Sequence, residues 1–247
     1  YPPEVMEQVS RIPDEMTAEE MQGRKDIRSW QTVTIDGEDA KDLDDAITIS
    51  REAYGYRLGV HIAGVSHYVT ENSPLDQEAL RRGTSVYLVD RGIPMLPHKL
   101  SNGICSLNEG TDRLALSCIM DLDFQGRVLG HEVAETVIQV DRRMTYTAVN
   151  AIVTDQDPNT MEEYRDFTEM FALMKELADI LRERRYQRGS IDFDFPETKM
   201  ILDEKGRPVE IRPYERNAAT RIIEDFMLMA NETIAEDYFW QEVPFLY

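Results

Sequence analysis

Between Asp36 and Asp45 the chain reads Asp-Gly-Glu-Asp-Ala-Lys-Asp-Leu-Asp-Asp, six acidic residues and one lysine in ten positions, for a local charge of −5. Carboxylates this close repel one another, at a cost that grows as they are buried. Apolar, β-favouring residues bracket the run: Val33 and Ile35 before it, Ala46, Ile47 and Ile49 after it. Ligands carried on a rigid frame are placed in this way. In an extended segment Asp42 and Asp44 point to one side and Asp45 to the other. Hard oxygen donors without histidine or cysteine select Mg²⁺, or Mn²⁺, over zinc.

Spacing narrows the chemistry. An EF-hand loop needs glycine sixth and glutamate twelfth; counted from Asp36, Gly37 is second and Ile47 twelfth. An Asp-x-Asp phosphohydrolase nucleophile follows directly on an apolar strand, whereas Asp42 follows Glu38-Asp39-Ala40-Lys41. The chain has no Gly-Lys-Ser/Thr phosphate loop. His61, Ser66 and His67 offer Ser-His-Asp chemistry without a Gly-x-Ser-x-Gly elbow to support it. Two readings remain: a magnesium site acting on phosphate esters, and a plain solvated acidic loop.

The elements that would position this run can be read from periodicity and turn chemistry. Residues 1–30 form an N-terminal arm broken by Pro2, Pro3 and Pro13. Short helices are expected there over Glu4–Ser10 and Thr17–Arg24, the second opened by a Thr17-x-x-Glu20 capping box. Strands are predicted over Thr32–Ile35, Ala46–Ile49 and Tyr56–His61. Ser73 as N-cap, Pro74 in the first turn and Gly83 at the end predict a helix with Leu75, Ala79 and Leu80 inward. Gly92–Pro97 is a rigid loop with two prolines. Leu114, Leu116, Cys118, Met120 and Leu122 alternate, and Gln125-Gly126 turns the chain into a returning strand over Val128–Val140. Met161–Tyr186 is helical, with Phe167, Met170, Phe171, Met174, Leu177 and Leu181 as a core stripe. A second hairpin joins Lys199–Leu202 to Val209–Ile211 across Asp203-Glu204-Lys205-Gly206. A last helix over Thr220–Tyr238 carries Ile223, Met227, Ala230 and Ile234, and residues 243–247 read as the start of a strand. Together these give one α+β domain over residues 31–247, a mixed or antiparallel sheet with packed helices and no internal repeat.

Composition sets limits on function. Across 247 residues, 47 acids against 27 lysines and arginines give a net charge of −20. A uniformly acidic surface repels a phosphate backbone, which disfavours simple groove-type nucleic-acid binding. Bound divalent cations invert that local field. The longest apolar runs, such as Phe226–Ala230, are about five residues against the roughly twenty of a membrane span. Cys105 and Cys118 supply neither a disulfide framework nor a zinc spacing, read as buried small apolar groups, and point to a reducing, cytoplasmic setting. His61, His67 and His98 read as structural. The start, Tyr1-Pro2-Pro3-Glu4, has neither a signal-peptide pattern nor an initiator methionine, as expected of a segment from a longer chain.

The run Thr34–Ala46 resembles the signature of the RNB catalytic domain of the ribonuclease II / ribonuclease R family, and its Gly-Glu-Asp-Ala-Lys filling is closer to the ribonuclease R branch. His61–Val69, Arg82–Leu88, Ile93–Pro97, Leu100–Leu107 and Ile222–Asn231 resemble further segments of that domain, so the resemblance covers essentially the whole chain.

The resemblance implies an RNB-type α+β fold, here partial at its C-terminal side, and a Mg²⁺-dependent enzyme. That enzyme would hydrolyse single-stranded RNA processively from the 3′ end to nucleoside 5′-monophosphates. It implies Asp36, Asp42, Asp44 and Asp45 as the metal-binding set, with Asp44 the most rate-critical. Tyr87 and Phe193 would stack on the terminal bases, and Glu224 would lie near the ribose. A catalytically inactive, RNB-like scaffold is the alternative, which the intact aspartate set opposes. Two departures are visible. Gly64 stands where the family carries an acid. The family's later Ser-Pro-Ile-Arg-Arg-Tyr segment, whose arginine contacts phosphate, and its flanking OB-fold RNA-binding domains are not in these 247 residues, so weak or no degradation is expected of them alone.

Overall fold

The computed structural model describes residues 1–193, 198–203, 205–213 and 216–247. A seven-stranded mixed sheet forms its centre, in the order β1-β8-β7-β4-β3-β2-β9. The strands are β1 (Lys25–Asp26), β2 (Thr32–Asp36), β3 (Asp45–Glu52), β4 (Gly55–Ala63), β7 (Asp112–Asp123), β8 (Val128–Gln139) and β9 (Arg142–Thr145). The middle of the sheet is antiparallel, while β1 on β8 and β9 on β2 are parallel at the two edges. Two small ribbons stand apart: β5 (Val86–Tyr87) with β6 (Gly92–Ile93), and β10 (Thr198–Leu202) with β11 (Pro208–Pro213). The second ribbon is the hairpin expected from sequence; its turn is closed by Asp203, whose carboxylate accepts from the Lys205 and Arg207 amides. Glu204 of that turn lies outside the described residues.

Helices cover the sheet. They are α1 (Pro3–Arg11), α2 (Val65–Tyr68), α3 (Pro74–Arg82), α4 (Tyr146–Asn150), α5 (Pro158–Glu163), α6 (Thr168–Gln187) and α7 (Ala218–Trp240). On one face, Ile35, Ile47, Leu58 and Met120 meet Phe171, Met174 and Leu177 of α6 and Phe226 of α7 in the main core. The opposite face carries Ile27, Leu43, Ala46, Leu107, Ile138 and Val140. A third cluster joins Val5 and Val9 of α1 to Leu75 of α3 and to Leu100 and Ile104. Residues 1–30 are therefore tied to the rest through α1, through β1 and through buried Ile27.

A row of buried polar groups crosses four adjacent strands. Thr48 Oγ1 lies 3.1 Å from His61 Nε2, His61 Nδ1 lies 2.7 Å from Ser117 Oγ, and Ser117 Oγ lies 2.6 Å from Thr136 Oγ1. Full burial pushes the His61 imidazole down to about 3, so it is neutral and structural. Cys105 and Cys118 are buried too, and burial pushes their thiols up to about 12 and about 11.

Several expectations change. Residues 17–24 make successive turns instead of a helix, although both capping-box bonds form: Thr17 N–H to Glu20 at 2.6 Å and Glu20 N–H to Thr17 Oγ1 at 3.4 Å. Bonds from Gln22 to Glu19 and from Arg24 to Met21 keep the segment tight, and Gly23 at φ 79° ends it. The long helix begins at Thr168, because Asp157 caps the separate α5 and the chain turns between Tyr164 and Phe167. Residues 243–247 are not a strand; Phe245 folds back to stack on Tyr238 at 4.6 Å. In β7, Leu116 is 48% exposed although Leu114, Cys118, Met120 and Leu122 on its own face are buried, and odd-numbered Ala115, Ser117 and Ile119 are buried on the other face, so the strict alternation expected from sequence does not hold.

Helix α3 gives the clearest correction. Its caps are as read: Ser73 accepts from the Asp76 amide and Gly83 is left-handed at φ 75°. Leu75 is 1% exposed, but Leu80 is 81% exposed. Five residues at 100° each place Leu80 about 140° around the helix from Leu75. The inward position falls to Glu78, neutralised by Arg81 and Arg82. We expect Leu75→Ala to cost about 2–4 kcal/mol in urea unfolding and Leu80→Ala to stay within about 0.5 kcal/mol. Equal costs would contradict this orientation of α3.

Candidate metal centre

The acidic run connects two neighbouring strands. β2 ends at Asp36, paired with Thr145 of β9, and β3 begins at Asp45, paired with Ile62 of β4. The segment between them is held at two places. Its one leucine, Leu43, is 1% exposed; its amide donates to Ser106 Oγ at 3.0 Å and its carbonyl accepts from the Leu107 amide at 2.9 Å. Burying Leu43 leaves its neighbours Asp42 and Asp44 facing away from the core. The other anchor is Arg143, whose Nη2 donates to the carbonyls of Glu38 at 3.2 Å and Ala40 at 2.7 Å. The Thr147 hydroxyl bonds the Glu38 carboxylate.

The carboxylates perturb one another. Asp36 is pushed up to about 7, first by burial and then by Asp45, against a lowering by Arg143 and with smaller increments from Asp44 and Asp42. Its Oδ2 is buried without a hydrogen-bond partner. Burial and then Asp44 push Asp45 up to about 6. Asp44, the more exposed of these, is raised by desolvation and then by Asp42. As the side chains stand, no group of three or more His, Cys, Asp or Glu among the described residues is arranged to hold a metal ion. The donor set nonetheless suits a hard divalent cation: oxygen-only ligands, mutual repulsion and an unsatisfied buried oxygen are each relieved by one.

The structure divides the other three sequence-derived residues between two places. Tyr87, on β5 and 70% exposed, is at the aspartates: its hydroxyl donates to Asp42 Oδ2 at 2.6 Å. Phe193 is exposed just beyond α6, and Glu224 lies near the start of α7. Arg216 links their neighbourhoods, donating to Glu224 at 2.6 Å and to Asp192 at 3.1 Å. Gly64 backs onto β7 so closely that a Cβ there would lie 2.9 Å from the Leu114 carbonyl oxygen. No side chain fits without a shift of that junction.

Sequence reasoning missed Arg143, Ser106 and Thr147. Leu43, a lone apolar residue inside an acidic run, was the available sign that the loop is anchored. No local pattern marks Arg143, which acts from about a hundred positions downstream. The Ser-His-Asp option closes as well: His61 is enclosed among hydroxyls, and His67 Nε2 faces Glu20 at 3.1 Å.

Comparisons with known proteins identify the domain. The model of the RNB domain matches residues 24–247. Ribonuclease R 1 of Lactococcus lactis is 50% identical over all of this chain, which covers 30% of that protein. Ribonuclease R of Thermotoga maritima is 51% identical over all of it, covering 35%. The chain thus spans about a third of the length of these relatives. Among solved structures, Mycoplasma genitalium RNase R in complex with ribose-methylated single-stranded RNA superposes with a TM-score of 0.87 at 31% identity, over 97% of this chain and 37% of that one. With its mixed sheet, its acidic loop and this match over nearly its full length, the chain belongs to the RNB domain family.

Proposed function

We propose that this chain is the catalytic part of a hydrolytic exoribonuclease that degrades RNA processively from the 3′ end to nucleoside 5′-monophosphates. The observation that carries the reading is the buried, unpartnered Oδ2 of Asp36 among like charges, in a chain half identical to ribonuclease R proteins. A scaffold without catalysis gains nothing from that repulsion. Under this reading residues 31–247 are the catalytic domain behind an N-terminal arm of residues 1–30, acting in the cytoplasm beside OB-fold RNA-binding domains of the longer protein.

Asp36, Asp42 and Asp45 would hold Mg²⁺ or Mn²⁺, with Asp44 as the residue on which the rate depends most. Divalent ions bound there supply charge neutralisation at the phosphodiester and acidify water, as in two-metal sites. The chain's own groups do the rest. Leu43 and its partners keep Asp42 and Asp44 directed outward. Tyr87, exposed beside the aspartates, offers a ring on which a terminal base of any identity stacks. Phe193 would offer a second ring, and Glu224, which accepts from Arg216, would lie near the ribose.

In the active protein that contains this chain, Asp44→Asn is expected to leave RNA affinity within about threefold and to lower kcat by about 100-fold or more. Single-turnover hydrolysis at near-normal rate would refute the assignment.

Stability should report the same burial and repulsion. The Asp36 carboxyl is raised to about 7 in the folded chain against an ordinary value near 4 when unfolded. The folded state therefore binds this proton more tightly, and the resulting stabilisation, complete below about pH 4, is lost as pH rises through about 7. At pH 8 without divalent metal, Asp36→Asn is expected to stabilise the chain by about 1–2 kcal/mol, allowing for solvent screening. The advantage should vanish near pH 4. Millimolar Mg²⁺ should raise the Tm of the wild-type chain by more than that of the variant; an equal rise in both would remove Asp36 from the metal set.

A further inference from the structure

We propose that Arg143 is a positioning residue for the metal centre: its guanidinium clamps the backbone of the aspartate loop and so fixes where Asp36 and Asp42–Asp45 stand relative to one another. This rests on reading the acidic cluster as a divalent-metal site.

The geometry is specific. Five residues, 37–41, bridge Asp36 to Asp42, and within them the Ala40 amide donates to the Gly37 carbonyl at 3.1 Å in a single turn. Both carbonyls around that turn, Glu38 at 3.2 Å and Ala40 at 2.7 Å, point to the same Arg143 Nη2. Arg143 is itself held. It lies on β9 opposite Thr34 of β2, and its amide donates to Glu109 Oε2 at 2.8 Å. The clamp therefore joins the loop to the strand beside the one that delivers Asp36. Downstream, the Leu43 anchor on Ser106 and Leu107 fixes the other end. A loop with a local charge of −5 is driven open by its own repulsion, and a guanidinium donating to carbonyls opposes that opening without occupying a carboxylate oxygen.

A second way for Arg143 to act is as a charge alone, and the two predict opposite signs. A cation near the cluster repels a metal dication. If charge were its whole effect, Arg143→Met would tighten metal binding and Arg143→Lys would leave it unchanged. If Arg143 positions the loop, both variants weaken binding, because methionine donates nothing and the shorter lysine stem does not reach both carbonyls.

Calorimetric titration of the chain with Mn²⁺, alongside hydrogen exchange of the metal-free chain, separates these outcomes. We expect about a tenfold or greater loss of Mn²⁺ affinity in Arg143→Met and about threefold in Arg143→Lys. The Ala40 amide should exchange at least about fivefold faster in Arg143→Met, while Val33 and Ile35 within β2 stay protected. If Arg143→Met does not fold, the lysine variant decides, weaker binding supporting the clamp and unchanged binding overturning it. Unchanged or tighter Mn²⁺ binding, or unchanged Ala40 exchange, in a folded variant overturns the role of Arg143 alone. Failure of the wild-type chain to bind Mn²⁺ overturns the metal reading and this one with it.

Discussion

The structure turns on like-charge repulsion held in place. Asp36, Asp44 and Asp45, whose proton affinities are raised by burial and then by neighbouring aspartates, would separate if the backbone beneath them were free, and most of the surrounding fold restrains it. β2 and β3 arrive as antiparallel neighbours inside a seven-stranded sheet, so the two ends of the acidic loop are fixed before the loop itself is considered. Leu43 sinks one end into the core and the loop's carbonyls meet Arg143 at the other. The energy for this restraint comes from apolar burial on both faces of the sheet, where α6 and α7 cover one side and the cluster around Ile27, Leu107 and Ile138 the other.

That layering explains how each face of the sheet is used. The helix-covered face is almost wholly apolar, while the opposite face interposes the Thr48–His61–Ser117–Thr136 row. A neutral imidazole bonded to hydroxyls satisfies its polar atoms without bringing charge into the interior. The strands that carry the aspartates therefore rest on a foundation that does not titrate over the range in which the aspartates do.

Much of this was legible from sequence where the signal is local. The caps of α3 were read residue by residue from Ser73, Pro74 and Gly83, and the hairpin of β7 and β8 from alternation around Gln125-Gly126. The acidic run could be read as a loop between two strands because its flanks favour strands. Sequence failed where tertiary contacts decide. Leu80 is as apolar as Leu75, but only the neighbours of α3 determine that Glu78 takes the inward place. The capping box at Thr17 forms its bonds yet nucleates no helix, since Gly23 and the packing of Met16 and Met21 dictate tighter turns. Arg143 is invisible to local reasoning because its partners are carbonyls, which every residue possesses.

The parallel pairing of β9 with β2 bears on the order of assembly. Arg143 is made more than a hundred residues after Asp36, and between them come the strands β3, β4, β7 and β8. A nascent chain that has left the ribosome as far as β8 carries the whole acidic run but not its clamp. Long-range pairings of this kind close last, after the loop-closure entropy of the intervening segment has been overcome. The acidic loop would thus gain its Arg143 contacts only when the sheet beneath it is finished, and a half-made chain would hold the loop by its Leu43 end alone.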